Sequence, residues 1–224
     1  PTDEFEGQVS LLVGEDGEQD GNVVVSGPIS ERLMGRLALY KRDYDGYMDN
    51  GSIGDSVAQE DHWGGRIVLL ADASDNVSIR AAYEHHDLDQ GGNTAQNVTY
   101  TDNFLPIVSG DDVKFNYKSQ GGRLTDFSTI PNGRTDDSNK FDTASIKIDY
   151  DGDGYSLTSV TGYTEYDWKS ITDSDYSSLE IFAQQNAQEF KQWSQELRLE
   201  TVIADKVDVL AGVYYHDQDL DQLI

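Results

Sequence analysis

The sequence predicts an all-β fold: an antiparallel up-and-down transmembrane β-barrel segment, a partial barrel of about nine strands. Three observations predict it. Apolar and polar residues alternate with period two along most of the chain, the signature of strands buried on one face. Aromatic residues are abundant (13 Tyr, 7 Phe and 3 Trp), although only 37% of residues are hydrophobic. The connections between strands alternate between short and long, as they do when one rim of a barrel has tight turns and the other has extended loops.

The strands are expected near 5–14, 21–27, 32–43, 62–72, 76–87, 141–150, 154–169, 189–202 and 206–218. In the first, Phe5, Gly7, Val9, Leu11 and Val13 share one face, opposite Glu6, Gln8 and Ser10. In the third, Leu33, Gly35, Leu37 and Leu39 alternate with Met34, Arg36, Ala38 and Tyr40. The fifth sets Val77, Ile79, Ala81 and Tyr83 against Ser78, Arg80, Ala82 and Glu84. The sixth sets Ala144, Ile146, Ile148 and Tyr150 against Ser145, Lys147 and Asp149. The seventh, from Tyr155 to Trp168, is strand-like with less clean faces. In the eighth, Trp193, Leu197 and Leu199 oppose Ser194, Glu196 and Arg198. In the ninth, Val207, Val209, Ala211, Val213 and Tyr215 alternate with Asp208, Leu210, Gly212, Tyr214 and His216. Most of these runs come close to the roughly 9–11 residues a tilted strand needs to cross a bilayer.

Turn formers at Gly27-Pro28-Ile29-Ser30, Ala73-Ser74-Asp75-Asn76, Asp151-Gly152-Asp153-Gly154 and Ile203-Ala204-Asp205 mark tight turns. Longer connections fall near 15–20, 44–61, 88–140 and 170–188. Parity makes the long ones extracellular. The Gly, Asn, Asp and Ser content of 88–140 suits that exposure. Aromatics near strand ends (Tyr40, Tyr44, Tyr47, Trp63, Tyr83, Tyr163, Tyr166, Trp168, Trp193 and Tyr215) suit the girdles at the two membrane interfaces.

Composition narrows the function. The formal net charge is −26, from 42 acidic against 16 basic residues. That disfavours nucleic acid, whose phosphates need clustered Lys and Arg, and anionic membrane surfaces. The chain has no cysteine, hence no disulfide, thiolate metal site or cysteine nucleophile. Helical membrane spans are excluded, because no run of about 18 apolar residues exists. The chain shows no signal peptide at Pro1.

Several segments resemble TonB-dependent outer-membrane receptors. Arg36-Leu37-Ala38-Leu39-Tyr40 through Arg42-Asp43-Tyr44-Asp45-Gly46-Tyr47 and Asn50 resembles an early barrel hairpin of that family, preceded by the turn Ser26-Gly27-Pro28-Ile29. Trp63-Gly64-Gly65-Arg66 and the strand pair after it fit the same pattern. Ser194-Gln195-Glu196-Leu197-Arg198-Leu199, then Asp205-Lys206-Val207-Asp208 and Leu210-Ala211-Gly212-Val213-Tyr214-Tyr215, is the most specific match. Pro1-Thr2-Asp3-Glu4-Phe5-Glu6-Gly7 resembles the junction where a plug domain ends and the barrel begins. The resemblance implies a barrel of about 22 strands with a plugged lumen. It further implies location in the bacterial outer membrane and active uptake driven by a TonB complex through a plug upstream of this chain. The cargo it implies is a scarce nutrient, by family default a ferric siderophore. Residues 1–224 are then one partial barrel domain, without plug or TonB box and with fewer strands than a closed barrel. A passive porin-like channel, or a soluble acidic all-β carbohydrate-binding module, would share much of the strand pattern.

No catalytic residue, metal ligand set or cofactor motif is expected. Asp149-Tyr150-Asp151-Gly152-Asp153-Gly154 begins like a calcium loop, but Val160 stands where that loop needs a bidentate Glu, so a hairpin turn explains it. His85 and His86 are adjacent on a strand and face opposite sides, while His62 and His216 have no partner at a ligand spacing. Gly64-Gly65, Gly91-Gly92 and Gly121-Gly122 lack the residues of a phosphate loop. Arg36, Arg66, Arg80 and Arg198 fall on polar faces toward the lumen, with Glu84, Glu196 or plug carboxylates as expected partners. Cargo binding is assigned to the extracellular loops near 44–61, 88–140 and 170–188.

Overall fold

The computed structural model describes residues 1–50, 55–91, 136–173, 183–204 and 206–223. Its elements are β1 (Glu6–Val13), β2 (Gln19–Ser30), β3 (Leu33–Tyr44), β4 (Met48–Asn50), β5 (Asp55–Val57), β6 (Gln59–Ser74), β7 (Val77–Gly91), β8 (Asp136–Gly152), β9 (Tyr155–Asp173), β10 (Ala183–Ile203) and β11 (Val207–Leu223). Nine of them form one sheet in the order β1-β2-β3-β6-β7-β8-β9-β10-β11, every pair antiparallel and every neighbour next in sequence but for a small hairpin. The expected up-and-down arrangement and strand count are therefore observed. So is the alternation of connections: 31–32, 75–76, 153–154 and 204–206 are short, and 45–58, 92–135 and 174–182 are long.

Four expectations are corrected. Gly27-Pro28-Ile29-Ser30 is not the turn. It lies inside β2, and the chain reverses at Glu31-Arg32. The register shifts between Pro28 and Ser30, a bulge that accommodates a residue with no N–H to give. Gly27 is needed there because a Cβ would stand 2.8 Å from Phe5 Cα, where the chain enters β1. Second, the loop at 44–61 is shorter and contains its own hairpin, β4 paired with β5. Third, the strands are longer at their loop ends than hydrophobicity indicates: β10 runs for 21 residues. Its loop end, Gln184-Gln185-Asn186 and Gln188-Glu189, is polar and carries no apolar alternation from which to read a strand. Most of the loops at 88–140 and 170–188, with Gly121-Gly122, lies outside the described residues. The fourth correction concerns the aromatics and follows from the two faces of the sheet.

Antiparallel partners share a face, so the register sorts the side chains. One face carries Val9, Val25, Leu37, Ile67, Ile146, Leu197 and Val213, all between 36% and 69% exposed. The other is polar and more covered, and it holds the tightly packed positions Ser26 and Val68, 1% and 5% exposed. The sheet thus curls with its polar face concave and its greasy face outward. Ala58 and Val68 are the only buried apolar residues among those described. A water-soluble sandwich would bury the greasy faces against each other. Here they meet no protein.

The greasy face is bounded at both ends. Toward the loops stand Trp63, Tyr83, Tyr163, Trp193 and Tyr215; toward the turns stand Tyr150 and Tyr155, their rings 5.8 Å apart. Tyr155 and Tyr163 are eight residues apart on β9, which is about 27 Å along a strand and roughly 21 Å of depth at a tilt of about 40°. That is close to the ~25 Å apolar band of outer-membrane barrels. Above the outer girdle the face becomes ionic. The Tyr163 hydroxyl donates to Glu165 at 2.7 Å, Lys191 Nζ lies 2.9 Å from Glu165, Tyr83 donates to Asp142, and His85 Nδ1 lies 2.8 Å from the same carboxylate. Tyr40, Tyr44, Tyr166 and Trp168, expected in the girdle, are on the concave face instead. Tyr47 lies in the connection before β4, 56% exposed.

The faces of β9, unclear in the sequence, resolve the same way. Ser159 and Thr161 point outward yet are satisfied, because Gln195 accepts from Thr161 at 2.6 Å and donates to Ser159 at 3.0 Å.

The strands are also staggered. One row of partners runs Val9, Val23, Leu39, Gly65, His85, Asp142, Glu165, Lys191. It starts in the greasy band and ends in the ionic belt. A row perpendicular to the strands crosses depth only when the strands are tilted to the membrane, as barrel closure requires.

Candidate ligand recess on the concave face

Five neighbouring strands bring aromatic and imidazole side chains together near their loop ends. Tyr40 on β3 and His86 on β7 are both register partners of Gly64 on β6. His62 stands two residues along on the same face of β6. Gly64 makes the cluster possible: a Cβ there would lie 2.7 Å from the Tyr40 hydroxyl and 2.6 Å from the His85 carbonyl oxygen. With that space open, Tyr40 Oη reaches His62 Nε2 at 2.5 Å and His86 Nδ1 at 2.6 Å. His86 Nε2 lies 2.6 Å from Glu84 Oε1.

The contacts form one chain, in which each imidazole has a carboxylate on its far side: His62 Nδ1 lies 3.6 Å from Glu60 and His86 Nε2 faces Glu84. His86 thus bridges Glu84 and the Tyr40 hydroxyl through its two ring nitrogens. Tyr40 bridges the two imidazoles through its hydroxyl. The cluster is thereby held rigid, edge-on between Tyr40 and His62 with ring centroids 4.7 Å apart.

Beside the cluster is a recess of about 590 Å³, lined by His62, His86, Leu88, Asn139, Phe141, Tyr166, Trp168 and Gln188. Its aromatic walls are anchored. Tyr166 stacks on Phe190 at 5.2 Å and its hydroxyl donates to Gln188 Oε1 at 3.2 Å. Trp168 Nε1 donates to Asp137 at 2.7 Å. Asn139 Oδ1 is buried in this wall and has no hydrogen-bond partner among the described residues. Outward along the same strands, a second recess of about 460 Å³ has six acidic lining residues: Asp43, Asp45, Glu60, Asp61, Asp89 and Asp137. No three His, Asp or Glu converge as metal ligands among the described residues.

The arginines of the polar faces all lie on this concave side. Arg66 Nε is 3.5 Å from Glu84, and Arg198 Nε is 3.0 Å from Glu196, so the two expected carboxylate partners are in place. Arg36 and Arg80 line a recess nearer the turns with Arg66 and Pro1. The calcium-like segment is the β8–β9 hairpin: Asp149 accepts from Thr158 at 2.7 Å and pairs with Lys147 at 2.8 Å, and Gly154 has φ 81°. His85 and His86 do face opposite sides. What the sequence reading missed is that His62 and His86, apart in sequence, converge on one phenol.

No protein-family model matches the chain, and no curated protein is significantly similar to it. Solved structures do share its fold. The ferric yersiniabactin uptake receptor FyuA from Yersinia pestis matches with a TM-score of 0.65 at 16% identity, over 99% of this chain and 32% of that one. The ferric-catecholate import receptor Fiu from E. coli K12, in its open form, matches at 0.67 and 14%, over 98% and 35%. The siderophore receptor PiuA from Acinetobacter baumannii matches at 0.68 and 14%, over 99% and 31%. The chain spans about a third of the length of these receptors. Nine antiparallel strands, greasy on one face and polar on the other, thus share the fold of part of these receptors, the fold that the resemblance implied.

Proposed function

We propose that residues 1–224 form one stretch of barrel wall in a bacterial outer-membrane receptor that actively takes up a scarce nutrient, with a ferric siderophore as the default cargo. The observation that carries this reading is the outward greasy face, bounded by two aromatic girdles at the spacing of a bilayer. Edges such as those of β1 and β11 cannot stand open in hydrocarbon, so further strands complete the barrel. The lumen holds a plug through which a TonB complex supplies energy. Cargo arrives through the connections at 44–61, 88–140 and 170–188 and passes along the concave face. The role is uptake, without a catalytic step.

The test is fractionation of the complete protein followed by transport. The expected result is recovery in the outer membrane, and uptake of an iron complex that stops when TonB is deleted. Uptake that persists without TonB would identify a passive channel instead. Recovery as a soluble monomer would end both readings.

A further inference from the structure

We infer that the concave recess beside Tyr40, His62 and His86 binds a planar aromatic ligand that is neutral or cationic, and discriminates against an anionic one. The inference rests on the receptor reading, in which this face looks into the lumen, and it sets the charge class of the cargo.

Two independent features of the recess support it. Its walls are ring faces: Phe141, Tyr166 and Trp168 come from adjacent strands, and two of them are fixed by hydrogen bonds to Gln188 and Asp137. Such faces stack flat groups and attract cations through the ring quadrupole. The unused polar atom in the wall is an acceptor, Asn139 Oδ1, so it asks for a donor on the ligand.

Charge decides the rest. The second recess, at the strand ends on the loop side, is lined from both faces: Glu60 and Asp137 lie on the concave side, and Asp43, Asp61 and Asp89 on the outward one. Among the described residues the cations on this face near the recess are committed: Arg42 lies 3.1 Å from Glu18, 3.4 Å from Asp20 and 3.2 Å from Glu60, and Arg66 lies 3.5 Å from Glu84. Arg42 alone answers three carboxylates, so this face keeps an excess of negative charge that repels an anion and from which a cation gains. Among the described residues, the arginines without a carboxylate partner, Arg36 and Arg80, lie deeper, toward the turns.

Three probes of matched ring size separate these outcomes: tyramine as the cation, p-cresol as the neutral ring and 4-hydroxyphenylacetate as the anion. Binding to the complete protein in detergent micelles is followed by saturation-transfer difference NMR. Tyramine should bind at least about tenfold more tightly than 4-hydroxyphenylacetate, with p-cresol between them. Trp168→Ala should weaken tyramine and p-cresol alike. Asn139→Ala, a smaller change at the wall, should weaken tyramine by roughly tenfold at most. Equal or tighter binding of the anion would overturn the inference and move the ligand to the arginines. Undiminished tyramine binding by a folded Trp168→Ala protein would also overturn it. Recovery of the same protein in the outer membrane, with none of the three probes bound, would remove this inference and leave the receptor reading standing.

Discussion

Gly64 shows how a single missing side chain shapes the concave face. The residue pairs with Tyr40 on one side and His86 on the other, and the phenol occupies the space a Cβ would take. Gly64→Ala should therefore displace Tyr40 and strain the backbone at His85, at a cost of about 1–3 kcal/mol from overpacking. Urea unfolding in detergent would read this as a lower midpoint. Gly154→Ala is the informative contrast: nothing lies within 4 Å of its Cβ, but φ is 81°. Its cost should be that of a left-handed alanine, about 1–2 kcal/mol, with no effect on the recess. The cluster itself was illegible in the sequence. Tyr40, His62 and His86 are far apart along the chain, and only the register brings them together. That register depends on a bulge between Asp72 and Ser74, one residue that no composition marks. A slip of one position there would have put the two imidazoles on opposite faces.

At the scale of the strand, the two faces make opposite demands, and they can be tested at adjacent positions. Ile146 on β8 points outward, 48% exposed, midway between the girdles; Ser145 points into the concavity. Ile146→Arg should cost about 2–4 kcal/mol in a lipid bilayer, whereas Ser145→Arg should cost less than about 1 kcal/mol. Refolding titrations into vesicles would measure the pair, and equal costs would mean the faces are wrongly assigned. The turns carry a smaller reserve. Ala204 holds φ 53° between β10 and β11, so Ala204→Gly should stabilise the hairpin by roughly 1 kcal/mol, read as a raised unfolding midpoint. Strand identity and facing were plain in the sequence wherever apolar and polar residues alternate, from Val77 to Glu84 above all. The misreading at Gly27-Pro28 has a physical cause. Glycine and proline serve turns, and they also serve bulges and close backbone approaches, which composition does not separate. The aromatic girdle was overcounted for a related reason: nearness to a strand end is visible in sequence, but parity decides whether a ring meets lipid or lumen.

At the scale of the molecule, the net charge of −26 and the greasy band belong to different regions. Carboxylates crowd the loop ends, above the outer girdle and around the entrance of the recess, while the band between Tyr155 and Tyr163 is apolar or internally satisfied. This separation gives a chain of mean hydropathy −0.60 a surface fit for hydrocarbon. The three tryptophans sample both sides of the wall, since Trp63 and Trp193 are on the greasy face and Trp168 is on the concave one. Three single-tryptophan versions of the complete protein, reconstituted in vesicles with lipids brominated on the upper acyl chain, therefore test the central claim directly. Quenching by the brominated lipid should be strong for Trp63 and Trp193 and weak for Trp168. Equal quenching at all three, or strongest quenching at Trp168, would contradict a wall with lipid on its greasy side and lumen on its polar one.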